Sequence, residues 1–173
     1  HMNTPERKII TVEDPVEYNM SGINQIQVKP QIDLTFSNIL RTIVRQDPDI
    51  IMIGEMRDFE TASIAVQSAL TGHLVLSTLH TNDAAGSITR LLDMGIDSFL
   101  LKSTINAVVA QRLVRKLCGE CKSSYPLNDK IAQQLRAIEI TGRDNATFYK
   151  AIGCDKCHGT GYIGRVAIVE III

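Results

Sequence analysis

Three runs of largely apolar residues punctuate the first half of the chain, and each ends in polar groups: KIITVED (Lys8 to Asp14), DIIMIGE (Asp49 to Glu55) and HLVLSTLH (His73 to His80). Runs this continuous predict strands of a parallel sheet buried on both faces, because a sheet with one wet face alternates apolar and polar positions. Between and after them the apolar spacing becomes helical. Phe36, Ile39, Leu40, Ile43 and Val44 predict a helix that Asp47 and Pro48 end. Ala62, Ala65, Val66 and Ala69 predict a second, from about Phe59 to Leu70, stopped by Gly72. Ala84, Ile88, Leu91 and Leu92 predict a third, capped by Asp83 and closed by Gly95. Leu101, Ile105, Val108, Val109 and Leu113 continue the same period, so the longest helix is expected from Ser98 to about Leu117. Ile26 and Val28, in a Gly/Asn/Gln-rich stretch, predict a short edge strand or hairpin, and Ile131, Leu135 and Ile138 a helix from Asp129 to Glu139.

Strand, helix, strand, helix is the alternation of an α/β fold: a parallel sheet, mixed at an edge, flanked by helices. Residues 1–117 are expected to form that core. Residues 118–173, which hold all four cysteines, are expected to form a small subdomain that returns to it. Open parallel sheets bind ligands beyond the carboxyl ends of their strands. Glu13, Asp14, Glu55, Ser77, Thr78 and His80 are therefore expected around one crevice.

Composition narrows the field only modestly. A chain of 173 residues, 45% hydrophobic and 21% charged, suits one well-buried domain with an appendage. A formal net charge of −1 gives no electrostatic reason to expect nucleic acid or an anionic membrane as partner. With no apolar run near the roughly 18 residues of a membrane span and no signal peptide, the chain reads as cytoplasmic. His1 and Met2 read as a tag remnant, and the chain ends on the apolar run VEIII, so it is expected to be a piece of something longer.

The chemistry concentrates at the strand ends and the cysteines. A carboxylate at the tip of a buried strand, as Glu55 is expected to be, suits holding Mg²⁺ through water or orienting a nucleophilic water; it also suits plain capping of the next helix. Glu13 and Asp14 add a second acidic tip, and hard oxygen ligands favour Mg²⁺. His80, beside Ser77, Thr78 and Thr81, offers donors for a phosphate. Arg41 and Arg45, four apart, project together from their helix and read locally as a solvated basic face. Cys118-x2-Cys121, 32 intervening residues, and Cys154-x2-Cys157 form two knuckles, each offering two thiolates to one tetrahedral zinc. The glycine-rich phosphate-binding loop G-x-x-x-x-G-K-[ST] is absent: none of the eleven glycines precedes Lys and then Ser or Thr.

Taken together, IITVEDPVEY (Ile9 to Tyr18), RQDPDIIMIGEMRD (Arg45 to Asp58), TGHLVLSTLHTND (Thr71 to Asp83) and the paired knuckles resemble the secretion ATPases of type II secretion and type IV pilus assembly. In that resemblance they match the aspartate box, Walker B motif, histidine box and tetracysteine motif. The resemblance implies a RecA-like core and a parent that works as a homo-hexameric, Mg- and ATP-dependent motor. It implies Glu55 as the hydrolytic Walker B glutamate, Glu13 near Mg²⁺ and the attacking water, and His80 near the γ phosphate. Arg41, Arg45, Arg57, Thr78 and Asp14 become candidates for nucleotide or neighbouring-subunit contact. Structural zinc on Cys118, Cys121, Cys154 and Cys157 is implied, with inner-membrane platform proteins as partners and a cytoplasmic location peripheral to that membrane. Without its Walker A loop, this stretch alone is expected to be an inactive monomer or adventitious dimer. The rival readings are a zinc-dependent interaction module without a nucleotide role, and a nucleic-acid-binding zinc ribbon, which the near-neutral charge disfavours.

Overall fold

The computed structural model describes residues 1–126 and 147–173; the helix expected at Asp129 to Glu139 lies outside them. In chain order the elements are β1 (Ile9–Glu13), β2 (Asn24–Gln27), α1 (Phe36–Ile43), β3 (Ile50–Ile53), α2 (Phe59–Leu70), β4 (Leu74–Ser77), α3 (Ala84–Asp93) and α4 (Ser98–Thr104). Strands β5 (Val108–Leu117), β6 (Ser123–Tyr125), β7 (Phe148–Lys150) and β8 (Tyr162–Ile172) follow. The chain divides into two compact units, one of residues 1–110 and 170–173, the other of 111–169.

In the first unit, four strands pair in the order β2-β1-β3-β4, and every pairing is parallel. Ile10 and Val12 of β1 and Ile51 and Ile53 of β3 bury against Ile39, Leu40 and Ile43 of α1 and Ala65 of α2. Ala62 and Val66 turn from the same α2 to a second cluster with Leu91, Ile96 and Leu101. The helices begin where a side-chain oxygen satisfies an otherwise unpaired amide. Thr35 accepts from Asn38 N–H, Asp58 from Thr61 N–H and Asp83 from Gly86 N–H.

Two expectations are corrected. The long helix from Ser98 stops at Thr104, and Val108–Leu117 is a strand paired with β8 in a two-stranded ribbon. Val108, Val109 and Val114 are β-branched, a class that packs better on a pleated surface than in a helix, and β8 supplies hydrogen-bond partners distant in sequence. The third apolar run is not buried on both faces either. Leu74 and Leu76 share one face of β4 and are 39% and 38% exposed, whereas Val75, on the opposite face, packs against the core, so this last strand of the sheet is covered on one side.

In the second unit, β6 and β7 form a short antiparallel pair. Lys122 lies over the Tyr149 ring and Arg115 over that of Tyr162. Charge divides unevenly between the units. The first carries eight basic and fourteen acidic residues, a formal −6, and the second ten basic and five acidic, a formal +5.

Candidate functional site

Because β1, β3 and β4 are neighbours and parallel, their carboxyl ends share one edge of the sheet. Gly54 draws the first two ends together: its N–H donates to Val12 O at 2.7 Å, and a Cβ there would lie 3.3 Å from Val12 O and 3.4 Å from Glu13 Cα. A side chain there would require the backbone of the β1 end to give by a few tenths of an ångström at the point where Glu55 leaves β3. Thr78 stitches on the third end, its hydroxyl donating to Gly54 O at 2.6 Å while Met56 N–H donates to Thr78 O at 3.1 Å.

Glu55 is the hub of this edge. Its Oε2 accepts from Arg57 Nε–H at 2.5 Å and from His80 Nε2 at 2.8 Å. An ionised carboxylate only accepts, so the geometry places a proton on Nε2. The Glu55 side chain is 12% exposed, whereas Arg57 and His80 are 67% and 78% exposed. The Arg57 guanidinium holds the Glu55 carboxyl below its usual range; burial opposes this and the His80 hydrogen bond reinforces it. Arg57 is raised in turn by Glu55, with a smaller contribution from the charge of Asp14.

Glu13 is held separately. Its Oε1 accepts from Thr11 Oγ1 at 2.5 Å and Gln25 Nε2 at 2.9 Å. Arg41 and Arg45 make no hydrogen bond or ion pair with Glu13, Glu55 or His80 among the described residues. Arg41 pairs with Glu60 of α2, and both arginines line an open groove of about 680 Å³ between α1 and α2 with Phe59, Glu60 and Ile64.

The cysteine sulfurs all lie within 4.8 Å of one another. Cys118–Cys154, Cys121–Cys157 and Cys154–Cys157 are separated by 3.9, 3.8 and 3.7 Å. A tetrahedron with zinc–sulfur bonds of about 2.3 Å has edges of about 3.8 Å, so the spacing fits four thiolates on one zinc. Backbone amides support the sulfurs: Gly153 N–H points at Cys121 Sγ (3.3 Å), and Cys154 and Gly161 N–H at Cys157 Sγ (3.2 and 3.1 Å). Burial pushes the Cys157 thiol up, but those two amides, together with hydrogen bonds from the Cys154 and Cys121 thiols, bring it down to about 6. The Gly153 amide lowers Cys121, yet burial and the three neighbouring sulfurs carry it to about 11. Without a cation, then, the four groups do not all ionise together at neutral pH. A Lys156–Glu120 ion pair at 2.8 Å links the two knuckles on their exposed side.

The family model described as "Type II/IV secretion system protein" matches residues 1–173. The chain belongs to that family. It is 59% identical over 174 residues to the type II secretion system protein E of Xanthomonas campestris, covering 99% of this chain and 30% of that one. It is 52% identical over 172 residues to the type IV pilus assembly ATPase PilB of Thermus thermophilus, covering 98% of this chain and 19% of that protein. Among solved structures, the pilus retraction motor PilT with bound ADP superposes with a TM-score of 0.57 at 38% identity, over 65% of this chain and 36% of that one. The chain spans about a third of the length of the first curated relatives it matches. The parallel sheet flanked by helices is the RecA-like α/β core of a type II/IV secretion protein.

The sequence reading missed Thr11, Gln25, Glu60 and the Lys156–Glu120 pair as partners of the residues it singled out. Thr11 was visible in principle, since i and i+2 share a strand face. The others depend on register and packing between distant segments.

Proposed function

We propose that this chain is the carboxy-terminal catalytic part of an ATPase that powers type II secretion or type IV pilus assembly. The observation that carries the reading is the Glu55–His80–Arg57 cluster on a strand edge shared with Glu13. Glu55 accepts a proton from, or orients, the water that attacks the γ phosphate; its lowered pKa favours the ionised form. His80 donates its Nε2–H to Glu55 in this structure, and the same donor, released from that carboxylate, suits an oxygen of the transferring phosphoryl group. Glu13 lies on the neighbouring strand end and, with Asp14, favours a divalent cation on the phosphates. Such a cation, when bound, neutralises charge that develops on the phosphate oxygens. Arg57 is the arginine nearest this chemistry; Arg41 and Arg45 serve nucleotide or neighbouring-subunit contact, and Thr78 holds the β4 end in place.

The main grip on the β and γ phosphates comes from a glycine-rich loop, which these 173 residues lack. The parent is a Mg- and ATP-dependent homo-hexamer, cytoplasmic and peripheral to the inner membrane through platform proteins, with no nucleic-acid partner. This piece alone is an inactive monomer or adventitious dimer. Cys118, Cys121, Cys154 and Cys157 hold a structural zinc that stiffens a docking surface.

The test is ATP turnover by the full-length protein. Glu55→Gln should lower kcat by about 100-fold or more, the usual scale of a lost general base, with nucleotide still bound. Unchanged turnover would remove Glu55 from the mechanism. The 173-residue chain should bind one zinc and turn over ATP negligibly; Mg²⁺-dependent hydrolysis that Glu55→Gln abolishes would overturn its proposed inactivity.

A further inference from the structure

The Gly/Asn/Gln-rich stretch between β1 and β2 contains a side chain that engages Glu13 directly. Gln25 stands opposite Thr11 in the parallel β1–β2 register. Its Nε2 donates to Glu13 Oε1 at 2.9 Å and to Tyr18 O at 3.0 Å, and its Oε1 accepts from Met20 N–H at 2.7 Å. Both amide hydrogens are thereby used. The orientation of the amide is fixed by its surroundings: turned over, it would set its oxygen against a carboxylate and a carbonyl, and its NH₂ against an N–H. Glu cannot donate to Glu13, Lys and Arg cannot accept from Met20, and Asn is a methylene shorter.

Thr11 is the second donor on the same oxygen, at 2.5 Å. Glu13 Oε1 is thus occupied by two protein donors, while Oε2 accepts from no described residue. The carboxylate is clamped by one oxygen and presents the other. The same glutamine ties down the loop that follows Glu13, in which Tyr18 and Met20 are exposed.

We propose that Gln25 is a positioning residue for Glu13, fixing the carboxylate and the loop behind it as one body so that Oε2 meets the reacting groups. This rests on the reading of Glu13 as an acid near the attacking water. Gln25 touches no reacting atom in this scheme; it acts through Glu13 by limiting the rotamers that the carboxylate samples.

The experiment is steady-state ATP hydrolysis by the full-length protein, with melting temperature measured alongside. Gln25→Leu keeps the bulk and removes the amide. It should lower kcat about tenfold, the scale of one hydrogen bond to a charged group, with KM for ATP within about twofold and the melting temperature near wild type. Gln25→Glu keeps an acceptor for Met20 but sets a carboxylate against Glu13, and should lower kcat at least as far; it decides the matter if Gln25→Leu does not fold. On a Glu13→Gln background Gln25→Leu should cost little more, because its partner is already changed. Unchanged kcat in both single variants, or kcat, KM and melting temperature falling together, would overturn the proposal. If Glu13→Gln alone leaves hydrolysis intact, the role of Glu13 fails and Gln25 falls with it; if Glu13→Gln is damaging and Gln25 replacement is not, only the positioning role fails.

Discussion

Gly161→Ala is the sharpest test of the metal knuckle, because the glycine contributes backbone where the cysteines contribute ligands. Gly161 sits at φ +76°, in the left-handed region, and a Cβ there would come within 2.6 Å of Ala151 Cβ and 3.1 Å of its Cα. Its N–H donates to Cys157 Sγ, and its carbonyl accepts from Cys118 N–H at 2.9 Å, so one residue touches both knuckles. Holding alanine in the left-handed region costs about 1–2 kcal/mol. Relieving the overlap costs about 1–3 kcal/mol more. If metal binding and the fold of the knuckle are one process, the sum of about 2–5 kcal/mol appears in the zinc dissociation constant. At about 1.4 kcal/mol per tenfold, zinc should bind about 30-fold to about 4,000-fold more weakly. Competition against a chromophoric chelator reads this directly. Gly119→Ala is the control, since a Cβ there meets nothing within 4 Å. Zinc affinity in Gly161→Ala within about threefold of wild type, or an equal loss in Gly119→Ala, would refute the reasoning.

Acid should erode what Glu55 contributes to stability. Its folded-state pKa is depressed, chiefly by Arg57, so the contribution is complete above the unfolded value of about 4.3 and is lost as pH falls through the lower folded value. The stability gap between wild type and Glu55→Gln should narrow between about pH 6 and pH 3, as followed by urea melts; a constant gap would refute this. Leu40 is fully buried between α1 and the sheet, and Leu40→Ala should cost about 2–5 kcal/mol in the same melts. The Arg41–Glu60 pair is exposed, so a double-mutant cycle should return a coupling of about 0.2–1 kcal/mol, and a larger value would contradict it.

Much of the first unit was legible because its signals are local. Helix α2 occupies Phe59–Leu70 as its alanine and valine spacing predicts, and the three apolar runs did become parallel strands with their ends together. The cysteine spacing likewise anticipated a cluster of four sulfurs. The failure at β5 has a physical cause. VVAQRLVRKL places apolar residues at positions that fit both a helix face and a pleated strand, and what decides is pairing with β8, far along the chain. Exposure of β4 was hidden for a related reason: an apolar run says a strand prefers cover, not whether a neighbouring element supplies it. Gln25 lay beyond reach because its meaning depends on the β1–β2 register, which no local pattern specifies.

The uneven charge has a practical consequence. The isoelectric point near 6.5 describes an average that neither unit possesses. At neutral pH such a chain should be retained by both cation- and anion-exchange resins, and molecules should attract one another through unlike halves when electrolyte is dilute. At 0.1 M salt, where screening acts over about 10 Å, that attraction should fade, so its behaviour on a sizing column should depend on the buffer more than a total of −1 implies.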